Sequence, residues 1–299
     1  MDLIFYLFGM LMAILSGISN NYGTVLQKKV VNRFRDADKF FKNLVKNPIW
    51  LVGLLLQNGV GAVLFFIAQI YIGPTLIPGL MGAGLIVLAI GAVRIVGEKL
   101  NTAEIIGIII MILGIALLGF SNMVVDIADE NFSDMFLFTR IMIFTLVIYG
   151  LAFFFYFLQL RNKFKGISLA IYSGFQFSLS NFWVSPLIGI IFLVFQGSAS
   201  IIEFILFVFS VIILLCTNIF GITSIQKAFV EGQASNLIPI QQVPIQIIPP
   251  FYFISVFMLP INDISSLFLL ITGIILILIS SLENNVQHLS CRLFCQALI

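Results

Sequence analysis

Long stretches without a charged residue limit this chain more than any other feature. Segments of about 20 residues or more lack Asp, Glu, Lys and Arg, and they run 3–27, 47–93, 105–125, 141–160, 166–202, 204–226, 232–262 and 264–282. A helix needs about 20 apolar residues to cross a bilayer. The recurrence of such stretches predicts an all-α polytopic membrane protein.

Composition excludes the main soluble classes. Only 9% of the 299 residues are charged and 61% are hydrophobic, whereas soluble domains carry about 25% charged residues. Such a chain cannot cover a water-soluble surface, and it is too apolar to stay disordered. We therefore exclude a cytosolic enzyme and a nucleic-acid-binding protein, and we expect membrane lipids to surround the chain.

Nine spans account for the uncharged stretches. The 47–93 stretch is long enough for two spans, and the turn signal Gly73-Pro74 divides it. The stretches 166–202 and 232–262 are long for one span and short for two, and we assign one span to each. Spans 1 to 9 are thus predicted at 3–25, 48–70, 74–96, 102–120, 136–160, 168–195, 201–224, 234–258 and 264–282.

Basic residues predict the orientation of these spans. With the N-terminus outside and the C-terminus cytoplasmic, all but one of the 15 lysines and arginines fall on the cytoplasmic side, as the positive-inside rule requires. Seven of them lie in the first connection, 27–47, and Arg140 is the exception. We expect span 1 to be retained rather than cleaved, because Asp2 precedes it and no small-residue cleavage motif follows. The acidic residues of the fourth connection are then outside: Asp126, Asp129, Glu130 and Asp134.

The first four spans share short motifs with the last four, in the same order. Ser16-Gly17 matches Ser173-Gly174, Leu76-Ile77-Pro78 matches Leu237-Ile238-Pro239, and Gly107-Ile108-Ile109 matches Gly273-Ile274-Ile275. One extra span between two four-span units inverts the second unit. The predicted fold is therefore two inverted four-helix repeats joined by a central helix, an arrangement found in many secondary transporters.

Four segments follow from this repeat. The first membrane repeat, with spans 1 to 4 and the basic connection, covers 1–122. The outside acidic loop and the linking span 5 cover 123–165, and the second membrane repeat covers 166–284. Residues 285–299 form a cytoplasmic tail.

The turn after span 3 resembles a known transporter superfamily. Gly97-Glu98-Lys99-Leu100 followed by the glycine-rich run 107–114 resembles the end of a repeat in the drug/metabolite transporter superfamily. Within it the chain is most similar to the NIPA-type magnesium transporters, which are nine-span proteins with a basic first loop. The matching places are Leu26-Gln27-Lys28-Lys29, Pro48-Ile49-Trp50-Leu51-Val52-Gly53, Gly97-Glu98-Lys99-Leu100-Asn101, Gln226-Lys227-Ala228 and Ile238-Pro239.

The resemblance implies secondary transport, and one departure from it bears on the substrate. NIPA-type transporters place a Gly-Glu pair with a nearby Asn inside span 2, whereas this chain has Gln57-Asn58-Gly59-Val60-Gly61-Ala62 and no carboxylate there. A magnesium site of ordinary strength uses one or two carboxylates. We therefore expect the main substrate to be a small polar solute or metabolite, with Mg²⁺ as the alternative.

Polar residues inside the spans are the candidate substrate ligands. Uncharged polar groups at membrane depth tend to face a bundle interior or a cavity, because lipid cannot satisfy them. They recur on single faces of spans 1, 2, 6 and 8, which predicts a midplane site that works by alternating access. The alternative is that they serve as interhelical contacts alone. The candidates are Ser16, Asn20, Thr24, Gln57, Asn58, Gln176, Asn181, Asn236, Gln242 and Gln246.

Prolines concentrate in the same region of the second repeat. Pro239, Pro244, Pro249 and Pro250 each remove a backbone donor from span 8. We therefore expect span 8 to be a broken helix, and interrupted helices mark binding sites in transporters.

Other functions find little support. Walker, HExxH, GxSxG and CxxC motifs do not occur in the sequence, so we expect no enzyme activity, no cofactor and no metal centre. His288, Cys291 and Cys295 lie in the tail and are too few for a closed zinc site. A membrane scaffold without transport is the alternative from another class. A homodimer is compatible with the sequence.

Overall fold

A computed structural model of the chain describes residues 3–35, 39–72, 77–121, 130–161, 164–258 and 263–296. Side chains are described up to Ser281, except at position 78. The predicted turn Gly73-Pro74, the acidic residues Asp126 and Asp129, and the side chains of the tail lie outside these residues.

Helices long and apolar enough to cross a membrane number nine in the described part of the chain, as predicted. The helix of span 9 continues beyond Ser281 to Gln296, and the other described residues outside the spans form short helices, turns and connections. The all-α polytopic fold is thereby confirmed. Spans 1 to 9 run Leu3–Arg33, Pro48–Ile72, Gly79–Val96, Thr102–Phe120, Met135–Leu160, Lys165–Phe195, Ile201–Glu231, Ala234–Ser255 and Ile264–Ser281.

Side-chain caps fix where several spans begin. Asn47 accepts hydrogen bonds from the backbone N–H groups of Ile49 and Trp50, and Pro48 occupies the first turn of span 2. Asn101 and Glu104 bond reciprocally to each other's backbone N–H at the start of span 4. These caps satisfy N–H groups that have no partner inside a helix.

Two spans are longer than the charge pattern predicts. Span 1 continues to Arg33 instead of ending near residue 25, so Lys28 and Lys29 lie on the helix. Span 7 continues to Glu231. The uncharged stretch 166–202 holds one span, because a single helix runs from Lys165 to Phe195.

The expectation of a broken span 8 is wrong. An α-helix runs without interruption from Ala234 to Ser255 through all four prolines. Half of the most apolar window of this span is buried, and packing of this kind holds a proline-containing helix together where neighbouring groups satisfy the freed carbonyls.

The irregular helices are spans 2 and 3. Span 2 contains a π-helical turn at Leu55–Val60. Span 3 has a turn at Gly82 and Ala83 between Ile77–Met81 and Gly84–Gly91, and it closes with a π-helical turn at Ala92–Val96. Such π-turns widen the helix and are frequent at functional sites.

The chain divides into two compact units. Unit 1 comprises Met1–Asn122, Phe229–Pro239 and Asn262–Ile299, and unit 2 comprises Met123–Ala228 and Ile240–Ile261. Unit 1 thus holds spans 1 to 4, span 9 and the first residues of span 8. These units group residues by packing, and the predicted repeat boundaries stay a prediction.

Spans 4 and 9 pack reciprocally within unit 1. Ser280 Oγ donates to the Gly107 carbonyl at 2.7 Å, and a Cβ added to Gly114 would lie 3.0 Å from the Gly273 carbonyl oxygen. In the predicted repeat Gly107 matches Gly273, and the same offset matches Gly114 with Ser280. The two contacts therefore exchange matched positions, as a two-fold relation between the spans would require. The inverted repeat as a whole stays a prediction.

An aromatic core supports unit 2. Trp183 and Phe182 are fully buried, and the Phe182 ring lies 5.0 Å from those of Phe144 and Tyr252. Trp183 Nε1 donates to Thr145 Oγ1 at 3.1 Å, which satisfies its only polar group. This core holds spans 5, 6 and 8 of the unit together.

Candidate functional site

Two serines of span 1 bind to the π-helical region of span 2. Ser16 Oγ donates to the Gly61 carbonyl at 2.7 Å, and Ser19 Oγ donates to the Leu56 carbonyl at 2.8 Å. Leu56 lies inside the π-helical turn and Gly61 directly follows it. The polar face of span 1 is therefore packed against the irregular backbone of span 2.

Gln57 and Asn58, the two amides of the π-helical turn, are both partly exposed. Gln57 Oε1 accepts a hydrogen bond from Gln27 Nε2 at 2.6 Å, which links spans 1 and 2. Asn58 Nδ2 reaches the Leu54 carbonyl of its own helix at 3.5 Å. The sequence predicts these amides at mid-depth but gives no signal for the widened turn that carries them.

Asn20 and Thr24 share the predicted face of span 1. Thr24 is buried, and its Oγ1 donates to the Asn20 carbonyl at 3.1 Å. The Asn20 side chain is partly exposed. The structure thus brings Ser16, Asn20, Thr24 and Gln57 into the packed region of spans 1 and 2 in unit 1.

Ser173 is the polar centre of unit 2. Its Oγ donates to the Gly221 carbonyl of span 7 at 2.7 Å and accepts from Gln241 Nε2 of span 8 at 2.8 Å. One hydroxyl therefore joins three spans. Gln241 was not among the predicted site residues, because its buried position depends on the packing of Gly174 against span 8.

Gln176 and Asn181, both on span 6, have contrasting environments. Gln176 is 2% exposed, and its Oε1 has no hydrogen-bond partner within the described residues. Asn181 is exposed. Between them Ser180 accepts from Asn218 Nδ2 of span 7 at 2.8 Å, a contact that sequence reasoning missed. A buried amide oxygen with no protein donor is a candidate ligand for a cation or a hydrated ion.

Gln242 and Gln246 pair along span 8. Gln246 Nε2 donates to Gln242 Oε1 at 3.1 Å, and both side chains are partly exposed. This i,i+4 pairing confirms that the two amides lie on one helix face.

Asn236 lies in the part of span 8 that belongs to unit 1. It is 4% exposed, and neither Oδ1 nor Nδ2 has a hydrogen-bond partner among the residues that the structure describes. Burying both polar atoms of an amide without protein partners is costly. Asn236 is therefore the least satisfied of the predicted site residues.

Two charged residues hold the connection between spans 7 and 8 within unit 1. Lys28 Nζ donates to the Phe229 and Gly232 carbonyls at 2.5 and 2.6 Å. Glu98 accepts from the backbone N–H groups of Ala234 and Ser235 at 2.7 and 3.1 Å, and from Ser235 Oγ at 2.8 Å. A cation therefore meets the end of span 7, and a carboxylate caps the start of span 8.

The backbone at Gly97 directs Glu98 to this position. Gly97 has a φ of +81°, which side chains with a Cβ rarely adopt. The reversal follows the π-helical end of span 3, and Glu98 N–H bonds to the Ala92 carbonyl at 2.9 Å. The sequence predicts a turn here, but not that its carboxylate is buried against span 8.

Acidic chemistry is sparse elsewhere. Within the described ranges, no group of three or more His, Cys, Asp or Glu side chains is arranged to hold a metal ion. Any ion taken up by these residues would meet mainly amide, hydroxyl and carbonyl oxygens.

The apolar helices and the comparisons with known proteins together define the class. A sequence profile of the family described as "Magnesium transporter NIPA" matches residues 4–280. The protein is therefore a multi-pass membrane transporter. Because the match covers almost the whole chain, the chain belongs to the NIPA magnesium transporter family, and the predicted resemblance is confirmed. No curated protein matches the chain, and no solved structure does.

Proposed function

We propose that this protein transports Mg²⁺ across a membrane. The observation that carries the proposal is the family match over residues 4–280. It supports the magnesium alternative of the sequence analysis better than the expectation of a small polar solute.

Ligands without carboxylates suit an ion that keeps its water. Mg²⁺ dehydrates reluctantly and usually retains several water molecules when a protein binds it. Amide and carbonyl oxygens accept hydrogen bonds from such waters. Within unit 1, the Asn236 oxygen, which has no partner among the described residues, and the partly exposed amides of Gln57 and Asn58 are acceptors of this kind. The proposal assigns contact with the hydration shell to these groups.

Flux into vesicles tests the proposal. Purified protein in lipid vesicles should give saturable Mg²⁺ uptake above that of empty vesicles, and Asn58→Leu should lower it at least several-fold. The matched control is Gly150→Ala, because a Cβ at Gly150 would meet no other helix within 4 Å among the described residues. No Mg²⁺ uptake by folded wild-type protein, together with uptake of an uncharged metabolite, would favour the small-solute alternative.

The orientation and the alternating-access mechanism stay predictions. We infer from the basic residues that the N-terminus and the 121–135 connection are outside and that the C-terminus is cytoplasmic. A single cysteine introduced at position 129 should react with an impermeant thiol reagent added from outside. Labelling from the cytoplasmic side would contradict the assigned orientation.

A further inference from the structure

The Lys28 ammonium is bound in the way that a metal cation would be bound. It is 4% exposed and meets two backbone carbonyl oxygens at 2.5 and 2.6 Å. It also lies 5.6 Å from the centre of the Phe229 ring, within cation–π range. Few lysines are buried this deeply unless their charge is matched.

The backbone structure around the Phe229 and Gly232 carbonyls explains why they attract a cation. Span 7 ends at Glu231, so the Phe229 carbonyl belongs to the last turn of a helix and the Gly232 carbonyl directly follows it. Carbonyls at a helix C-terminus lack partners within the helix, and the helix dipole is negative there. The Glu98 carboxylate, itself 8% exposed, lies close by, because it accepts from the N–H groups of Ala234 and Ser235, just after Gly232.

The surrounding oxygen atoms are of the kinds that Mg²⁺ prefers as ligands. Two backbone carbonyls and one carboxylate are hard oxygen ligands. Glu98 accepts three hydrogen bonds in the structure, and an ionised carboxylate has about four acceptor positions. Asn236, directly after Ser235 in the sequence, adds a buried amide oxygen without a partner among the described residues.

We propose that the Phe229 and Gly232 carbonyls, which the Lys28 ammonium occupies, form a cation site with the Glu98 carboxylate and the Asn236 amide, and that Mg²⁺ competes with Lys28 for it. This inference rests on the proposed function, and it gives that function a binding site with a carboxylate. Lys28 has a flexible four-carbon stem and is tethered to span 1, so it can leave the carbonyls when the ion arrives and return when the ion departs. No covalent step is involved.

Chemical modification of the wild-type protein tests the competition directly. Limited reductive methylation, read by peptide mass spectrometry, should modify buried Lys28 slowly and exposed Lys42 and Lys46 quickly. Saturating MgCl₂ should raise the Lys28 rate several-fold over NaCl of equal ionic strength, while the rates of the two exposed lysines stay unchanged. A Lys28 rate that does not respond to Mg²⁺ would overturn the proposal.

Variants test which groups form the site. In Lys28→Met the ammonium is gone, so Mg²⁺ should raise the thermal unfolding temperature more than it does in wild type. Adding Glu98→Gln to Lys28→Met should remove this gain, and Lys28→Arg should behave like wild type. An equal Mg²⁺ response in Lys28→Met and Lys28→Met/Glu98→Gln would contradict the assigned ligands. The wild-type modification experiment decides the question if Lys28→Met does not fold.

The two proposals fail separately. If vesicles show Mg²⁺ flux while Lys28 modification ignores Mg²⁺, the cation site is wrong and the transport function stands. If Lys28 responds to Mg²⁺ but no flux occurs, the site stands and the transport proposal is wrong.

Discussion

Unit 1 and unit 2 each contain a Ser-Gly pair that joins three spans, and the two pairs differ in one partner. Ser16 donates to the Gly61 carbonyl and Ser173 to the Gly221 carbonyl, both at 2.7 Å. Gly17 packs on the backbone of Met81 in span 3, and Gly174 packs on that of Gln241 in span 8. Ser173 also accepts from the Gln241 amide at 2.8 Å, whereas Ser16 is 4.0 Å from the Met81 sulfur.

The contacts that the two pairs share can be assigned to helix packing, and the contact that differs can be assigned to a polar function. The glycine contact and the serine-to-carbonyl bond occur in both units, which indicates that they serve the approach of helices. Of these two pairs, only the one in unit 2 has an amide, that of Gln241, as its third partner. Span 8 also carries Gln242 and Gln246, so its polar residues exceed what the shared packing requires.

The largest expected effect tests whether these extra amides serve transport. Gln242→Leu and Gln246→Leu should each reduce Mg²⁺ uptake to the level of empty vesicles, because the pair loses its hydrogen bond and an acceptor oxygen. The yield and the unfolding temperature should change little, since both side chains are partly exposed. Thr139→Val is the control, because Thr139 is exposed and bonds only within its own helix among the described contacts. Normal uptake by both leucine variants would place the ion pathway elsewhere.

Replacing the glycine of each pair with alanine should lower the stability of the protein by different amounts. A Cβ at Gly17 would collide with the Met81 carbonyl oxygen and lie 2.7 Å from the Met81 Cα. A Cβ at Gly174 would collide with the Gln241 carbonyl oxygen and the Pro244 ring. Overpacking of this kind costs about 1–3 kcal/mol. We expect Gly17→Ala to cost more than Gly174→Ala, because the three nearest atoms at Gly17 all belong to the Met81 backbone, whereas one of those at Gly174 belongs to the Pro244 side chain.

Thermal unfolding in detergent measures this difference. Gly150→Ala serves as the control, because no other helix in the described part of the chain lies within 4 Å of the added methyl group. Its unfolding temperature should match that of wild type or exceed it slightly. Equal stability of Gly17→Ala and wild type would show that span 3 can move away without loss.

Serine substitutions should show a smaller difference in the same direction. Ser173→Ala breaks two hydrogen bonds and Ser16→Ala breaks one short one. Hydrogen bonds between membrane helices average about 0.6 kcal/mol each, so the expected costs are about 1 kcal/mol and about half of that. Ser255→Ala is the control, since Ser255 is exposed and bonds to the Phe251 carbonyl of its own helix. A larger loss for Ser16→Ala than for Ser173→Ala would contradict the assigned roles.

Exchanging the third partner should give the smallest effect. Gln241→Met removes the bond to Ser173 and should cost about 0.6 kcal/mol. Met81→Gln gives Ser16 an amide partner and should be close to neutral. Chemical unfolding of each single variant and of the double variant measures both changes in the free energy of unfolding. A stabilised Gln241→Met protein would mean that the amide is kept for transport at the expense of stability.

Much of the fold follows from the sequence because span length is set by the bilayer. The predicted start of span 4 at residue 102 and its end at residue 120 agree with Thr102–Phe120. The end of span 1 was missed because Lys28 is charged, and charge normally marks the end of a span. Its burial depends on the carbonyls of Phe229 and Gly232, about 200 residues away in the sequence, and no local pattern contains that contact.

The candidate site follows from the sequence less completely. Helical spacing correctly places Gln242 and Gln246 on one face. It cannot separate Gln241, which is bonded to Ser173, from amides that have spare acceptors. Prolines misled the prediction for span 8, because packing keeps that helix regular. The irregularity lies at Leu55–Val60 instead, in a segment without proline.

Because of the wide turn at Leu55–Val60, the two halves of span 2 do not share one continuous 3.6-residue spacing of side chains around the helix axis. Successive residues of an α-helix are rotated by about 100°, because 3.6 residues complete a turn. A π-turn accommodates roughly one residue more. A helical-wheel projection based on Pro48–Leu54 therefore does not predict the faces of Gly61–Ile72. Deleting one residue within the turn would keep the length of the span nearly constant. It would replace the wide turn with an ordinary α-turn, and because only the extra residue is lost, the Gly61 carbonyl would keep its direction toward Ser16.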